Sequence, residues 1–123
     1  MKLRIKGNSI RLRLSQSEVS DFEKSGSIEE RTIFPSGSVL VYTLARADHD
    51  EFQAELAGSN VIISVPHDIA SKWCQGNEVG MDSFIPLTDD QTLRVLIEKD
   101  FACLTDRDHE DESDNFPNPN VTC

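Results

Sequence analysis

The closing stretch of the chain, DRDHEDESDNFPNPNVTC, and the residues just before it contain the side chains best suited to metal chemistry. Thiolate sulfur and imidazole nitrogen are the usual ligands of zinc, so Cys103, His109 and Cys123 are candidate ligands for zinc or another divalent cation. Their spacings match none of the common paired-ligand patterns. We therefore expect no bound cofactor and keep this metal site as the alternative.

Acidic residues in the same stretch recur at every second position and resemble the start of a calcium loop. They are Asp106, Asp108, Glu110, Glu112 and Asp114. A calcium loop requires glycine at its sixth position and glutamate at its twelfth, where this chain has Asp111 and Pro117. The pattern excludes an EF-hand and indicates a solvated acidic segment.

Nucleophilic catalysis would require a cysteine to lie beside a histidine in the folded chain. The sequence has three residues of each kind, so such a pair can arise by chance, and neither a Gly-x-Ser-x-Gly motif nor a phosphate loop is present. We therefore favour a non-enzymatic binding domain. The alternative function is a metal-dependent or thiol-based enzyme that uses the C-terminal Cys, His and Asp residues.

Positive charge is concentrated on the first predicted hairpin. Side chains alternate along a strand, which places five basic residues on one face: Lys2, Arg4, Lys6, Arg11 and Arg13. Because like charges opposite one another destabilise a strand pair, we expect an anionic partner to neutralise this face. That partner is a soluble anion, an acidic part of the same chain or a neighbouring subunit, and a solvated face is the alternative. The net charge of −10 favours a partner within the chain or on a neighbouring subunit over a polyanion, and we expect the acidic tail, residues 106 to 114, to lie near this hairpin.

Charge and cysteine usage restrict the class of protein. Lys and Arg number eight against five Asp and Glu in residues 1–46, three against ten in 47–99, and one against seven in 100–123. An acidic chain is not expected to bind nucleic acid or an anionic membrane. No apolar run is long enough to span a bilayer, and the first residues alternate instead of forming a signal peptide. Three scattered cysteines predict reduced thiols and therefore a cytoplasmic location. We expect a monomer or a homodimer.

An internal repeat of about fifty residues must position these side chains. Residues 3–46 and 52–99 each read as a β-β-α-β-β unit. The clearest matches are Ile10 with Val61, Leu12 with Ile63 and Leu14 with Val65. The offset stays at 50 or 51 residues as far as Pro35 and Pro86, and then grows by two in the last turn. A capping box at Ser15 begins the first predicted helix, and glycines 26 and 76 are expected to end the two helices in the left-handed conformation.

The repeat predicts an α+β fold with about eight mainly antiparallel strands and two short helices. One copy alone would expose an apolar face and an open edge, whereas two copies related by an approximate two-fold axis can cover both in a barrel or a sandwich. Residues 1–104 then form a single domain, with a groove between the copies as a natural binding site. The apolar residues of the strands and helices form the predicted core, with Ile5, Leu56 and Ile69 among them. Residues 105–123 form an acidic tail that contains Pro and Asn.

Phe116 begins a proline-containing segment that reads Phe-Pro-Asn-Pro. Prolines hold the backbone extended, and an aromatic residue beside such a segment can dock in a groove of its own domain or of a partner. Disorder of this segment is the alternative.

Three strings of the sequence resemble those of a family of small bacterial proteins of unknown function: MKLRIKGNSIRLRL, EKDFACL and EDESDNFPNPN. The resemblance covers nearly the whole chain. It implies a stand-alone bacterial protein, and it implies no activity, ligand or catalytic residue. The sequence therefore predicts a bacterial binding or interaction domain whose ligand is unknown.

Overall fold

The computed structural model describes residues 1–101 and 114–117 of the chain. It contains eight strands and two helices, an α+β fold as predicted. In chain order they are β1 (Lys2–Ile5), β2 (Ser9–Leu14), α1 (Gln16–Ser25), β3 (Ser27–Ile33), β4 (Val39–Ala47), β5 (Gln53–Ala57), β6 (Asn60–Pro66), α2 (His67–Gln75), β7 (Gly80–Pro86) and β8 (Thr92–Lys99). No helix in the described part is long and apolar enough to cross a membrane.

The strands form two open four-stranded sheets. Sheet A has the order β1-β2-β8-β7 and sheet B the order β3-β4-β6-β5. In each sheet two antiparallel hairpins are joined by a central parallel pair, β2 with β8 and β4 with β6. Each sheet therefore takes one hairpin from each half of the chain. Of the two architectures left open by the sequence, the closed barrel is not formed by the described strands.

The two halves pair their strands in the same register. Leu12 lies opposite Ile97 in the parallel pair of sheet A, and Ile63 lies opposite Leu44 in that of sheet B. The hairpins follow the same correspondence, with an offset of 51 residues for the first two strands of each half and 53 for the last two. Exchanging the halves thus leaves the topology unchanged.

The predicted position of the two extra residues is wrong. Ile33 lies opposite Val39, and its equivalent in the second half is Pro86, opposite Thr92, so Pro86 is not the equivalent of Pro35. The insertion lies between α2 and β7: α2 is one residue shorter than α1, and residues 76–79 take the place of the single glycine 26, which gives a net gain of two residues. The shared proline misled the comparison because it belongs to a turn in one half and to a strand in the other.

The helix ends follow the sequence signals only in part. The Ser15 hydroxyl accepts a hydrogen bond from the Glu18 amide, and the Glu18 carboxylate accepts one from the Ser15 amide at 2.9 Å, which completes the predicted capping box. Gly26 ends α1 in the left-handed region with φ of 86°. Gly76 ends α2 with an extended backbone instead, and its amide still donates to the Lys72 carbonyl at 2.9 Å.

One hydrophobic core contains residues of both sheets and both helices. Phe22 of α1 and Trp73 of α2 are fully buried, and their rings meet edge to face with centroids 6.5 Å apart. The fully buried aliphatic residues around them are Leu12, Leu14, Leu44, Ile63, Val65, Val95 and Ile97. Each such side chain contributes about 1.5–3 kcal/mol before the entropy of ordering is subtracted.

Three residues of the predicted core are exposed instead. The exposed fractions are 58% for Ile5, 73% for Leu56 and 41% for Ile69. Ile5 and Leu56 are equivalent positions at the turn ends of the edge strands, where each hairpin extends past the core. Met1 and Met81 are buried in the core, although the alternating pattern did not indicate it.

Candidate functional site

The outer face of sheet A carries the five basic residues that the sequence placed together. Lys2 lies opposite Arg13 and Arg4 opposite Arg11 in the first hairpin, with Lys6 following β1 on the same side. We call this surface the basic face. Its members are Lys2, Arg4, Lys6, Arg11, Arg13 and, from β8, Arg94.

Sequence reasoning missed Arg94. It enters the basic face because β8 pairs with β2 in parallel, which puts Arg94 beside Ser9. These two residues belong to opposite ends of the chain, and only the order of the strands in sheet A brings them together. The signal that could have found Arg94 is the matched register of the two halves.

Acidic residues at the end of β8 neutralise one end of the basic face. Glu98 Oε1 accepts a hydrogen bond from Arg11 Nε at 2.6 Å and lies 3.5 Å from Arg13 Nε. Lys2 Nζ lies 2.8 Å from Oδ2 of Asp100, which is buried. Glu98 and Asp100 therefore supply part of the negative charge that the sequence predicts to come from the tail.

The other end of the basic face surrounds a cavity of about 220 Å³. Its lining residues are Arg4, Lys6, Ser9, Arg11, Arg94 and Leu96, so four of the six carry positive charge. Arg4 and Lys6 form no ion pair with any residue that the structure describes. Positive charge at this basic cavity is therefore only partly compensated within residues 1–101 and 114–117.

Arg94 is held at the rim by two weak contacts. Its guanidinium carbon lies 5.5 Å from the centre of the Phe84 ring, and its Nη2 lies 3.6 Å from Oδ2 of Asp82. Both contacts are solvent-exposed, so the guanidinium keeps donors available for another group. A guanidinium offers a planar fork of donors that matches a phosphate or a carboxylate.

The equivalent surface of sheet B has a different character. The positions that correspond to Arg4 and Arg11 are Glu55 and Ile62, and they line a shallow cavity of about 370 Å³. None of the described residues that line this cavity is basic. Since the backbone pairing is the same in both sheets, the side chains alone give sheet A its basic cavity.

The segment Asp114–Pro117 docks against the start of α1. The Gln16 amide donates to the Asp114 carbonyl at 3.0 Å, and the hydroxyl of Ser17 donates to the Asp114 carboxylate, which lowers the pKa of Asp114. The amide of Phe116 donates to the Asp100 carbonyl at 2.9 Å. The prediction that this aromatic segment docks is confirmed, and its groove is on its own domain.

The predicted contact between the acidic tail and the basic hairpin falls almost wholly on residues 106–113, which lie outside the described residues. Asp114, the last residue of that predicted contact, bonds to Ser17 and Gln16 instead of to a basic residue.

A buried lysine joins the docked segment to the core. Lys99 Nζ lies 5.7 Å from the centre of the Trp73 ring and 5.5 Å from that of Phe116, and it donates to the Gly76 carbonyl at 2.8 Å. The rings of Phe116 and Phe101 pack with centroids 5.6 Å apart. Burial lowers the pKa of Lys99. Its amine is enclosed by rings and a carbonyl, which suits a structural role.

The candidate metal ligands Cys103, His109 and Cys123 lie outside the described residues. Within the described ranges no group of three or more His, Cys, Asp and Glu side chains is placed to hold a metal ion. Cys74 is half-buried, and burial raises the pKa of its thiol to about 11. A thiol with such a pKa is almost wholly protonated at neutral pH and is a poor nucleophile.

Fold and site together define an α+β domain of two mixed sheets with a basic cavity on one outer face. The chain belongs to the family of unknown function DUF7009, whose model matches residues 1–120. This confirms the resemblance inferred from the sequence. A search of curated proteins found no match, and a search of solved structures found none either.

Proposed function

We propose that this protein is a non-enzymatic binding domain that takes a compact anionic group, a phosphate or a carboxylate, into the basic cavity. The observation that carries the proposal is the convergence of Arg4, Lys6, Arg11 and Arg94 on one cavity. Like charges repel, and Arg4 faces Arg11 directly across the hairpin. An anion between them removes this repulsion and gains charge-assisted hydrogen bonds.

The dimensions of the cavity favour a small anionic group over an extended polyanion. Pockets for drug-sized ligands enclose roughly 300–1,000 Å³. The basic cavity, at about 220 Å³, has room for one anionic group and part of the molecule that carries it. The net charge of −10 on the whole chain repels a nucleic acid.

The acidic residues between Phe101 and Asp114 are the competing occupant. The described ends of this segment are fixed at the Leu14 end of β2, because the Asp100 amide donates to the Leu14 carbonyl and Asp114 bonds to Gln16. The basic cavity lies at the Ser9 end of the same strand. Five residues of strand separate the two ends by about 17 Å, a distance within the reach of a twelve-residue segment fixed at both ends, so the anion titration has to distinguish the two occupants.

Calorimetric titration with inorganic phosphate and with pyrophosphate tests the proposal. Each charge-assisted hydrogen bond contributes about 1.5–3 kcal/mol, so Arg4→Ala or Lys6→Ala should weaken binding roughly ten- to hundredfold. Arg13→Ala is the matched control because it removes the same charge from the same face, outside the cavity. Loss of affinity of equal size in the control would show non-specific attraction and refute a site at the cavity. No binding of either anion to the wild-type protein would also refute it.

The rival proposal is a metal-dependent or thiol-based enzyme that uses Cys103, His109 and Cys123. Elemental analysis of protein purified without chelator tests the metal, and replacement of all three cysteines by serine tests the thiol. Stoichiometric metal, or a loss of function on replacement, would favour the enzyme. Among the described residues the raised pKa of Cys74 supports the binding domain.

We also propose a bacterial, cytoplasmic protein that arose by duplication of a β-β-α-β-β unit. The equal registers of the two halves support the duplication. The odd, scattered cysteines support a reducing compartment.

A further inference from the structure

Strand β3 is an edge strand of sheet B, and no other strand in the described part of the chain pairs with its outer side. The Arg46 amide donates to the Gly26 carbonyl, and the Phe34 amide donates to the Ser38 carbonyl, both at 2.8 Å. Even-numbered residues of β3 therefore bond to β4, and alternation turns the backbone N–H and C=O groups of Glu29, Arg31 and Ile33 outward. These outward groups form a row that another strand can pair with.

The three other edge strands carry features that oppose such pairing. Strand β1 has four residues and bears the exposed cations Lys2 and Arg4. Strand β7 ends in Pro86, which has no N–H group to donate. Strand β5 has five residues. Strand β3 has seven residues and contains neither proline nor lysine.

The charged side chains of Glu29 and Arg31 are complementary when two copies of β3 pair antiparallel. We propose that β3 pairs antiparallel with β3 of a second copy, centred on Glu30, so that the two B sheets become one continuous eight-stranded sheet. In this register Glu29 lies opposite Arg31 of the second copy, and Arg31 lies opposite Glu29. Both side chains are exposed, and within one chain they are separated by 3.8 Å. The outward backbone groups of the same two residues then bond to each other.

Other registers are less favourable. A slip of two residues in either direction puts Glu29 opposite Glu29 or Arg31 opposite Arg31, and like charges in this position destabilise a pair. A slip of one residue turns every side chain to the wrong face. At the centre Glu30 faces its own copy, but its carboxylate lies 2.8 Å from the Met1 amino group, which offsets the charge. The charge pattern thus selects one register.

The pairing also covers apolar surface that is otherwise in water. Ile33 is 73% exposed at the end of β3. In the proposed register it lies opposite Ser27 of the second copy. The Ser25 hydroxyl already bonds to the backbone N–H and C=O of Ser27, so Ser27 cannot bond to a second copy. Only Glu29 and Arg31 of each strand then form backbone hydrogen bonds across the interface. The contact is small, so the dimer is expected to be concentration-dependent.

Sedimentation velocity on the full chain from roughly 10 µM to 1 mM, a range that covers weak complexes, tests the proposal. The wild-type protein should shift from the 13.8 kDa monomer towards a dimer as concentration rises. Glu29→Arg and Arg31→Glu should each remain monomeric, because each puts two like pairs at the interface. A one-to-one mixture of these two variants should dimerise again, since the two arginines of one chain then face the two glutamates of the other.

The double variant with both charges exchanged should dimerise like the wild-type protein, as its complementarity is restored. Arg31→Pro removes an outward N–H without disturbing the bonds to β4, and it should abolish the dimer. Far-UV circular dichroism and melting temperature confirm that each variant folds. A wild-type protein that stays monomeric over the whole range would overturn the proposal. So would a dimer that persists in both single-charge variants and in folded Arg31→Pro.

Discussion

Truncation of Phe116 should destabilise the whole domain although this residue lies beyond the last strand. Phe116 is half-buried against the core, its ring packs on Phe101, and Lys99 Nζ lies 5.5 Å from its centre. Removing a fully buried Phe side chain costs about 3–5 kcal/mol. Half of that range, about 2 kcal/mol, applies to a half-buried ring. For a chain of 123 residues this loss lowers the melting temperature by roughly 8 °C.

Urea unfolding of Phe116→Ala followed by tryptophan fluorescence is the assay. Trp73 is the single tryptophan, is fully buried, and its ring centre lies 5.7 Å from the Lys99 amine that also contacts Phe116, so its emission reports on this part of the core. Leu56→Ala is the control, because Leu56 is 73% exposed at the turn end of β5 and should change stability by less than about 1 kcal/mol. Equal stabilities of Phe116→Ala and the wild-type protein would refute the docking of the segment.

Three further predictions concern single residues. An ideal Cβ at Gly76 would lie 2.8 Å from the Lys72 carbonyl oxygen, so Gly76→Ala should cost about 1–3 kcal/mol in urea unfolding, and a neutral result would contradict the tight helix end. The lowered pKa of Asp114, caused by the Ser17 hydrogen bond, adds stability above the pKa of the unfolded chain that is lost as pH falls through the folded value. Asp114→Asn should therefore flatten the acid side of the melting-temperature curve, and an unchanged curve would contradict it. In a variant that keeps Cys74 and has serine in place of the other two cysteines, the Cys74 thiol has a pKa of about 11. It should therefore react with iodoacetamide at pH 8 roughly 100-fold more slowly than free cysteine does.

Local sequence signals were sufficient for the elements and for most of the basic face. The alternation of Lys2, Arg4 and Lys6 with apolar residues places them on one side of a strand, and the structure pairs Arg4 with Arg11 on that side. The capping box at Ser15 begins α1 as predicted. These features depend on neighbours within a few residues, which is why the sequence is enough to find them.

Features that depend on the order of the strands could not be predicted in the same way. Arg94 joins the basic face only because β8 pairs in parallel with β2. Ile5 and Leu56 alternate like core residues, yet the core ends before it reaches them. The ring contacts of Lys99 join a strand, a helix and the C-terminal segment, and no spacing along the chain indicates such a contact.

The most direct test of the account is a titration of ¹⁵N-labelled protein with inorganic phosphate, followed by amide chemical shifts. The basic cavity predicts saturable shifts at Arg4, Lys6, Ser9, Arg11 and Arg94, with the equivalent surface around Glu55 unchanged. Shifts that spread evenly over both sheets, or no shifts at all, would contradict an anion site on the outer face of sheet A.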